Sequence, residues 1–187
     1  MPPKVKVSKE EIVNAGVEIA REQGAEAINA RNIAAGLSCS TQPVFSNFAN
    51  MEELRQAVIL AAYQRYLGFI QREVESGKYP RYKAFGMAYI RFAKEEKELF
   101  KLLFMRDRAG EDLSPASDFQ EAVEMMMNAH GITEEKASLM HLELWTCVHG
   151  IGTMLVTSFL PLDWDLISDM ITDVYRGLLT RHLRGDS

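Results

Sequence analysis

Residues 29–54, NARNIAAGLSCSTQPVFSNFANMEEL, contain the pattern that decides the fold. The stretch predicts two short helices joined by a tight polar turn, followed by the start of a third helix. No carboxylate occurs from Asn29 to Met51, and the side chains between the apolar positions are mostly polar. A surface helix without acids favours a negatively charged partner. Two short helices around a tight turn are the layout of helix-turn-helix DNA-binding proteins.

The charge of the chain is unevenly distributed around this stretch. The 187 residues carry a formal net charge of -5, and 47% are hydrophobic, which suffices for a sizeable core. Residues 1–48 contain five basic and five acidic side chains, so the net negative charge belongs to the remainder. The acidity argues against nucleic-acid binding by the whole surface but permits it at the N-terminal end. Three of the five bases lie in the first nine residues and form a basic arm.

Cysteine usage and hydropathy predict a cytoplasmic chain. Cys39 and Cys147 lie far apart, so a disulfide framework is not expected. The first ten residues are too polar for a signal peptide, and every apolar run is interrupted well before the ~20 residues that span a bilayer. We expect no membrane partner and no cofactor.

Helical periodicity dominates, and strand-like alternation is nearly absent. Ser8 with Glu11 predicts a capping box that opens the first helix, and Gly24 ends it. Beyond the opening stretch, helices are predicted at about 51–76, 81–95, 97–107, 115–130, 134–159 and 164–183. The sequence therefore predicts an all-α fold of about nine helices, with a three-helix head at 1–50 and a larger helical body at 51–187.

The caps define the two short helices of the head. Asn29 caps the second helix, predicted at 30–37. Either Ser40 or Thr41 caps the third helix, which places Pro43 in its first turn. A missing N–H is harmless there, because first-turn N–H groups have no helical acceptor.

Residues 8–54 resemble the DNA-binding domain of the TetR (tetracycline-repressor) family of bacterial transcription regulators. Three features carry the resemblance: the first-helix pattern IVNAGVEIAREQGAEAINARNIA, its final Ile-Ala followed by the turn and a short helix, and the aromatic residue in FANMEEL. In the body, YIRFAKEEKELFKLLFM and WTCVHGIGTML resemble the ligand-binding half of one branch. The resemblance implies a helix-turn-helix DNA-binding domain at 1–50 and a ligand-binding and dimerisation domain at 51–187.

The third helix is then the recognition helix that enters the major groove. Gln42 and Asn47 can each bond adenine bidentately, and Pro43 or Phe45 can touch a thymine methyl group. Phe45 fits a core position equally well, and ordinary turn and cap residues would share much of the pattern. The predicted DNA-binding residues are Lys4, Lys6, Asn29, Arg31, Ser40, Thr41, Gln42, Pro43, Phe45, Ser46 and Asn47.

A homodimer on a palindromic operator of double-stranded DNA is expected, because helix-turn-helix proteins generally place two recognition helices about 34 Å apart. The last two helices form the natural dimer surface, and the alternative is that their apolar stripes face the core of one subunit. The stripes consist of Met140, Leu144, Val148, Met154, Leu155, Leu166, Met170, Ile171, Val174 and Leu178.

The body is predicted to bind a small-molecule effector, as the resemblance implies. Ten methionines and several aromatic residues could line an adaptable apolar pocket, although each fits plain core as well. The candidate ligand-binding residues are Phe104, Met105, Met126, His141, Trp145 and His149. No metal is expected, because His141 and His149 are separated by about 12 Å of helical rise and Cys147 points to the opposite side from His141.

Two other function classes remain. A helical enzyme is disfavoured, because Cys147, His149 and Glu143 form no convincing catalytic constellation. A dimeric small-molecule-binding or adaptor protein with weak or lost DNA binding is the alternative. Its motive is the acidic net charge and Met51, which stands where the family frequently has a lysine. The chain departs from the family pattern at two further positions: Asn47 stands where a tyrosine is frequent, and Ser38 where the turn glycine is common.

Overall fold

A computed structural model of the chain describes residues 7–107 and 117–184. Within these ranges the chain forms nine α-helices and one 3₁₀ turn, and no strand, so the all-α prediction is confirmed. The helices are α1 (Lys9–Gln23), α2 (Ala30–Gly36), α3 (Gln42–Asn47), α4 (Met51–Glu75), α5 (Arg81–Glu95), α6 (Lys97–Phe104), α7 (Ser117–His130), α8 (Glu134–Val156) and α9 (Trp164–Arg184). No described helix offers a stretch long and apolar enough to cross a bilayer.

The helices form two compact units. The N-terminal unit comprises the described residues of 7–68 and 96–107, and the C-terminal unit comprises 69–95 and 117–184. The chain leaves the N-terminal unit within α4 and returns to it at Glu96, immediately before α6. The functional boundary between residues 50 and 51 stays a prediction.

The N-terminal unit buries the apolar faces of its short helices. Ile12 of α1, Ile33 of α2 and Val44 of α3 are buried together with Phe48 and Leu54. Each comes from a different helix or from a helix end, so the core fixes the orientation of the helix pair around the polar turn. The capping box at the start of α1 is confirmed, and Gly24 ends that helix with φ +86°.

Two helices end three residues earlier than the sequence predicts. α6 ends at Phe104 instead of residue 107, and an acidic residue at 107 would lie unfavourably at the negative end of the helix. α8 ends at Val156 instead of residue 159, because Ser158 adopts a left-handed conformation with φ 54°. The start of α7 was predicted at 115, which lies outside the described residues.

The C-terminal unit has a core made by α7, α8 and α9. Val123 and Met126 of α7 pack with Ala137, Met140 and Leu144 of α8, and partly buried residues of α9 cover them. Met140 and Leu144 belong to the predicted dimer stripe, so that part of the stripe faces the core of its own subunit.

Candidate functional sites

The start of α2 is fixed by Asn29, as predicted. Its Oδ1 accepts the Asn32 N–H at 2.9 Å, and its Nδ2 donates to the Ala27 carbonyl at 3.2 Å. The side chain of Asn29 is therefore occupied in the cap. Arg31, in the first turn, is exposed and makes no ion pair within the described part of the chain.

The turn between α2 and α3 depends on a left-handed serine. Ser38 has φ 52°, a conformation that glycine adopts more easily. The Cys39 N–H donates to Ala34 at 2.9 Å and the Ser38 N–H donates to Ala35 at 3.1 Å, which is the Schellman pattern of a helix end. The serine thus supplies the conformation that the common turn glycine supplies in the family, at some cost in backbone strain.

α3 begins at Gln42, so Thr41 and not Ser40 stands at the cap position. Thr41 has helical dihedral angles and its side chain makes no capping hydrogen bond, so the predicted side-chain cap of α3 is not observed. Pro43 lies in the first turn, as predicted. Val44 is buried, which turns the opposite side of the helix outward.

The outward side of α3 and the residues before it are polar and free of acids. Four of these residues are exposed: Ser40, Thr41, Gln42 and Ser46. Two more are partly exposed, namely Pro43 and Asn47. Phe45 is 59% exposed, so it is not a core residue. An aromatic ring held in water beside exposed polar groups can contact a base edge or a thymine methyl group.

The polar groups on α3 differ in how available they are. The Ser46 hydroxyl donates to the Gln42 carbonyl at 2.9 Å, and the Asn47 amide donates to the Pro43 carbonyl at 2.8 Å. The amide of Gln42 makes no hydrogen bond with any described residue. Gln42 can therefore meet a base without breaking an internal bond, whereas the bond to Pro43 occupies one of the two amide hydrogens of Asn47 and restricts how its amide can be presented.

Positive charge near α3 is scarce. Lys9 belongs to α1, where its ammonium lies 2.9 Å from Glu53, and the Ala49 N–H together with Lys9 lowers the pKa of that carboxyl group. Lys4 and Lys6 lie outside the described residues. Arg55, which is not among the predicted DNA-binding residues, is exposed one helical turn after Met51, and its spacing from Met51 is the sequence signal for it.

In the C-terminal unit, α8 presents three of the candidate ligand residues toward α5. The Nδ1 atoms of His141 and His149 lie 2.8 Å from the hydroxyls of Tyr82 and Tyr89, respectively. Trp145 lies between the histidines and stacks on His149 at 5.0 Å between ring centroids. Burial lowers the pKa of His149, which favours the neutral ring at pH 7.

The six candidate ligand residues do not form one cluster. Phe104 belongs to the N-terminal unit and packs against Tyr66, with ring centroids 5.3 Å apart. Met105, in the same unit, occupies the C-terminal cap position of α6 and is 40% exposed. Met126 is 1% exposed within the core of the C-terminal unit. Only the α8 group brings hydrogen-bonding and aromatic side chains together.

Comparisons with known proteins agree with this architecture. Residues 82–176 match the family described as "Tetracyclin repressor-like, C-terminal domain". A search of curated proteins gives no match.

Three solved structures have a similar fold. A TetR-like transcriptional regulator from Rhodococcus sp. RHA1 has a TM-score of 0.63 and 15% identity, with all of both chains covered. A putative transcriptional regulator of the TetR family from Vibrio parahaemolyticus has a TM-score of 0.63 and 13% identity, over 90% of this chain and 97% of that one. Another transcriptional regulator from Rhodococcus sp. Rha1 has a TM-score of 0.55 and 16% identity, over 96% and 97% of the chains.

At these identities the structural similarities establish the fold. The family match rests on sequence and spans just over half of the 187 residues. The chain belongs to the tetracycline-repressor (TetR) family of transcriptional regulators.

Proposed function

We propose that the chain is a ligand-responsive repressor that binds a palindromic operator as a homodimer through α3. The observation that carries the proposal is the outward side of α3, where Gln42 and Phe45 are exposed and no carboxylate is present. Residues 1–50 would form the DNA-binding domain, and the rest of the chain would bind the effector and the second subunit. The scarcity of cations near α3 means that specificity depends mainly on hydrogen bonds and apolar contacts to base edges.

A band-shift titration with DNA from upstream of the gene tests the proposal. Gln42→Ala and Asn47→Ala should each weaken specific binding, and Gln42→Ala should weaken it more, because its amide is not engaged within the protein. Gln71→Ala is the matched control, since Gln71 lies on α4 in the C-terminal unit and bonds only Glu75. Unchanged binding by both α3 variants would show that α3 is not the recognition helix.

A second subunit fits the exposed apolar side of α8 and α9. Leu142 and Met154 of α8 and Leu166 and Met170 of α9 are exposed. Between the two α8 residues lies Gly150, where an added Cβ would meet no atom within 4 Å, so another helix could approach closely. Apolar stripes of this kind are buried in the helix bundles of homodimers.

Sedimentation velocity tests the dimer. Leu166→Glu should shift the protein from dimer to monomer, because burying an unpaired charge in the interface is costly. Leu60→Glu is the control, since Leu60 is also an exposed leucine but lies on α4 in the N-terminal unit. A monomeric wild-type protein, or a dimer unaffected by Leu166→Glu, would exclude this interface.

The effector is proposed to contact the α8 residues that face α5. Trp145 is 39% exposed beside the neutral His149, which offers a flat apolar surface next to a hydrogen-bonding group. The fluorescence of Trp145, isolated by Trp164→Phe, should change when 8-anilinonaphthalene sulfonate is titrated as an apolar probe. We propose no catalytic role for Cys147, because burial raises the pKa of its thiol and favours the unreactive protonated form.

One alternative has support of its own: a dimeric adaptor or small-molecule-binding protein with weak DNA affinity. Lys9 is engaged by Glu53, and Met51 provides no charge. Salt dependence separates the two functions, because a protein that neutralises several phosphates must bind DNA more weakly as salt rises. A flat salt profile would favour the adaptor.

A further inference from the structure

A buried carboxylate joins three helices of the N-terminal unit. Glu96 is 6% exposed and immediately precedes α6. Its Oε2 accepts from Nε of Arg21 on α1 at 2.7 Å, and its Oε1 accepts from Nη2 of Arg65 on α4 at 2.8 Å. Glu18 of α1 contacts both arginines, at 3.3 Å and 2.9 Å, and completes a ring of four charges.

This ring differs from the other ion pairs of the N-terminal unit. The pairs Lys9–Glu53 and Lys101–Glu98 join partners that are each about a third or more exposed. Exposed pairs contribute little to stability, whereas removing one partner of a buried charge leaves the other poorly solvated. Among the described residues, Glu96 is the one buried carboxylate of this unit.

The carboxylate of Glu96 does not cap the helix that it precedes. Glu96 occupies the cap position of α6, yet its side chain makes no capping hydrogen bond to that helix. The carboxylate instead contacts α1 and α4. The preceding residue, Glu95, ends α5 and belongs to the C-terminal unit, so Glu96 is where the chain returns to the N-terminal unit.

We infer that Glu96 is a positioning residue for DNA binding: it holds α1 and α4 to the start of α6 and thereby sets the orientation of the recognition helix. α1 contacts both α2 and α3, so a change in the seating of α1 is passed to the DNA-contacting residues. The inference rests on the proposed function and adds to it a residue that orients the recognition helix without contacting DNA.

Glu96→Gln tests the inference, because glutamine keeps the shape and removes the charge. Glu73→Gln is a closely matched control: Glu73 is also 6% exposed and lies 2.8 Å from Arg91, but that pair belongs to the C-terminal unit. Both variants should lower thermal stability. Glu96→Gln should weaken operator binding by about 5- to 150-fold, the usual range of coupling between sites, while Glu73→Gln should stay within about twofold.

Hydrogen exchange gives a second readout that does not require DNA. The amides of α1 should exchange faster in Glu96→Gln and at the wild-type rate in Glu73→Gln. If Glu96→Gln fails to fold, Arg21→Gln should show the same changes more weakly, because Arg65 still contacts Glu96.

The two proposals fail separately. If the wild-type protein binds no DNA, the proposed function is wrong, and the exchange of α1 alone decides whether Glu96 positions this helix. Wild-type operator affinity together with wild-type α1 exchange in Glu96→Gln would overturn the inference. Equal losses of affinity in Glu96→Gln and Glu73→Gln would also overturn it, since they would reflect general destabilisation.

Discussion

Replacement of Gly16 by alanine probes the packing that supports the recognition helix. Gly16 is buried on α1, and a Cβ added there would lie 2.6 Å from Cγ2 of Val58 on α4. Carbon atoms in good contact are about 3.5–4.0 Å apart, so α1 or Val58 must move by about 1 Å. Val58 cannot easily turn away, because it is buried and β-branched residues in helices have one preferred rotamer.

Two opposing contributions decide whether Gly16→Ala raises or lowers the free energy of unfolding. Alanine is favoured over glycine within a helix by about 1 kcal/mol, and overpacking a core costs about 1–3 kcal/mol. Taking the middle of that range, Gly16→Ala should lower the free energy of unfolding by about 1 kcal/mol. At Gly177 of α9 an added Cβ meets no atom within 4 Å, so Gly177→Ala should raise it by up to about 1 kcal/mol.

Removing Cγ2 of Val58 should turn the destabilising effect of Gly16→Ala into a stabilising one. In a Val58→Ala background, which itself costs about 2 kcal/mol, the nearest remaining atoms would be Cδ1 of Ile33 at 3.7 Å and Cβ of Val58 at 3.8 Å. Both are ordinary contacts, so Gly16→Ala should now stabilise. Urea denaturation followed by circular dichroism measures the four variants, with hydrogen exchange of α1 to locate the change. Stabilisation of the wild-type background by Gly16→Ala would refute the reasoning.

Three further predictions follow from single side chains. Ser38→Gly and Ser158→Gly should each raise the free energy of unfolding by up to about 1 kcal/mol in urea denaturation, since both serines have left-handed φ angles of 52° and 54°; no gain at either site would contradict the assigned strain. Burial lowers the pKa of His149 from its ordinary value of 6.5. The contribution of the neutral ring to the free energy of unfolding is therefore fully present above pH 6.5 and is lost as pH falls through the folded-state pKa. His149→Gln should therefore lose less stability than the wild type between about pH 7.5 and about pH 5.5, and an equal loss would exclude this group as the cause. Phe45→Ala should leave stability within about 0.5 kcal/mol and weaken operator binding by about tenfold in band shifts, whereas Phe48→Ala should unfold the N-terminal unit; an unfolded Phe45→Ala would show that the ring belongs to the core.

Local sequence signals predicted the local structure well. The sequence correctly predicted the caps at Ser8 and Asn29, the helix end at Gly24 and the position of Pro43. Each of these features depends on hydrogen bonds or dihedral angles within a few residues. The start of α3 could not be predicted in this way. Ser40 and Thr41 are both good capping residues by type, but Thr41, which stands at the cap position, makes no side-chain capping bond.

Features that join distant residues could not be predicted. The ring of charges around Glu96 unites α1, α4 and the start of α6, and the partners of Glu96 lie 31 and 75 residues away from it in the sequence. The amphipathic pattern of α8 likewise could not show which apolar residues face the subunit's own core. Leu144 is buried and Leu142 is exposed, and only the packing of α7 and α9 against α8 separates them.

Selection from randomised duplex DNA tests the central claim most directly. The purified wild-type protein should enrich a near-palindromic sequence with half-sites about one helical turn, or a multiple of it, apart. Gln42→Ala should lose or alter the preference at defined base pairs in both half-sites while the protein remains folded. No enriched sequence from the wild-type protein, or an identical sequence from Gln42→Ala, would contradict operator recognition through α3.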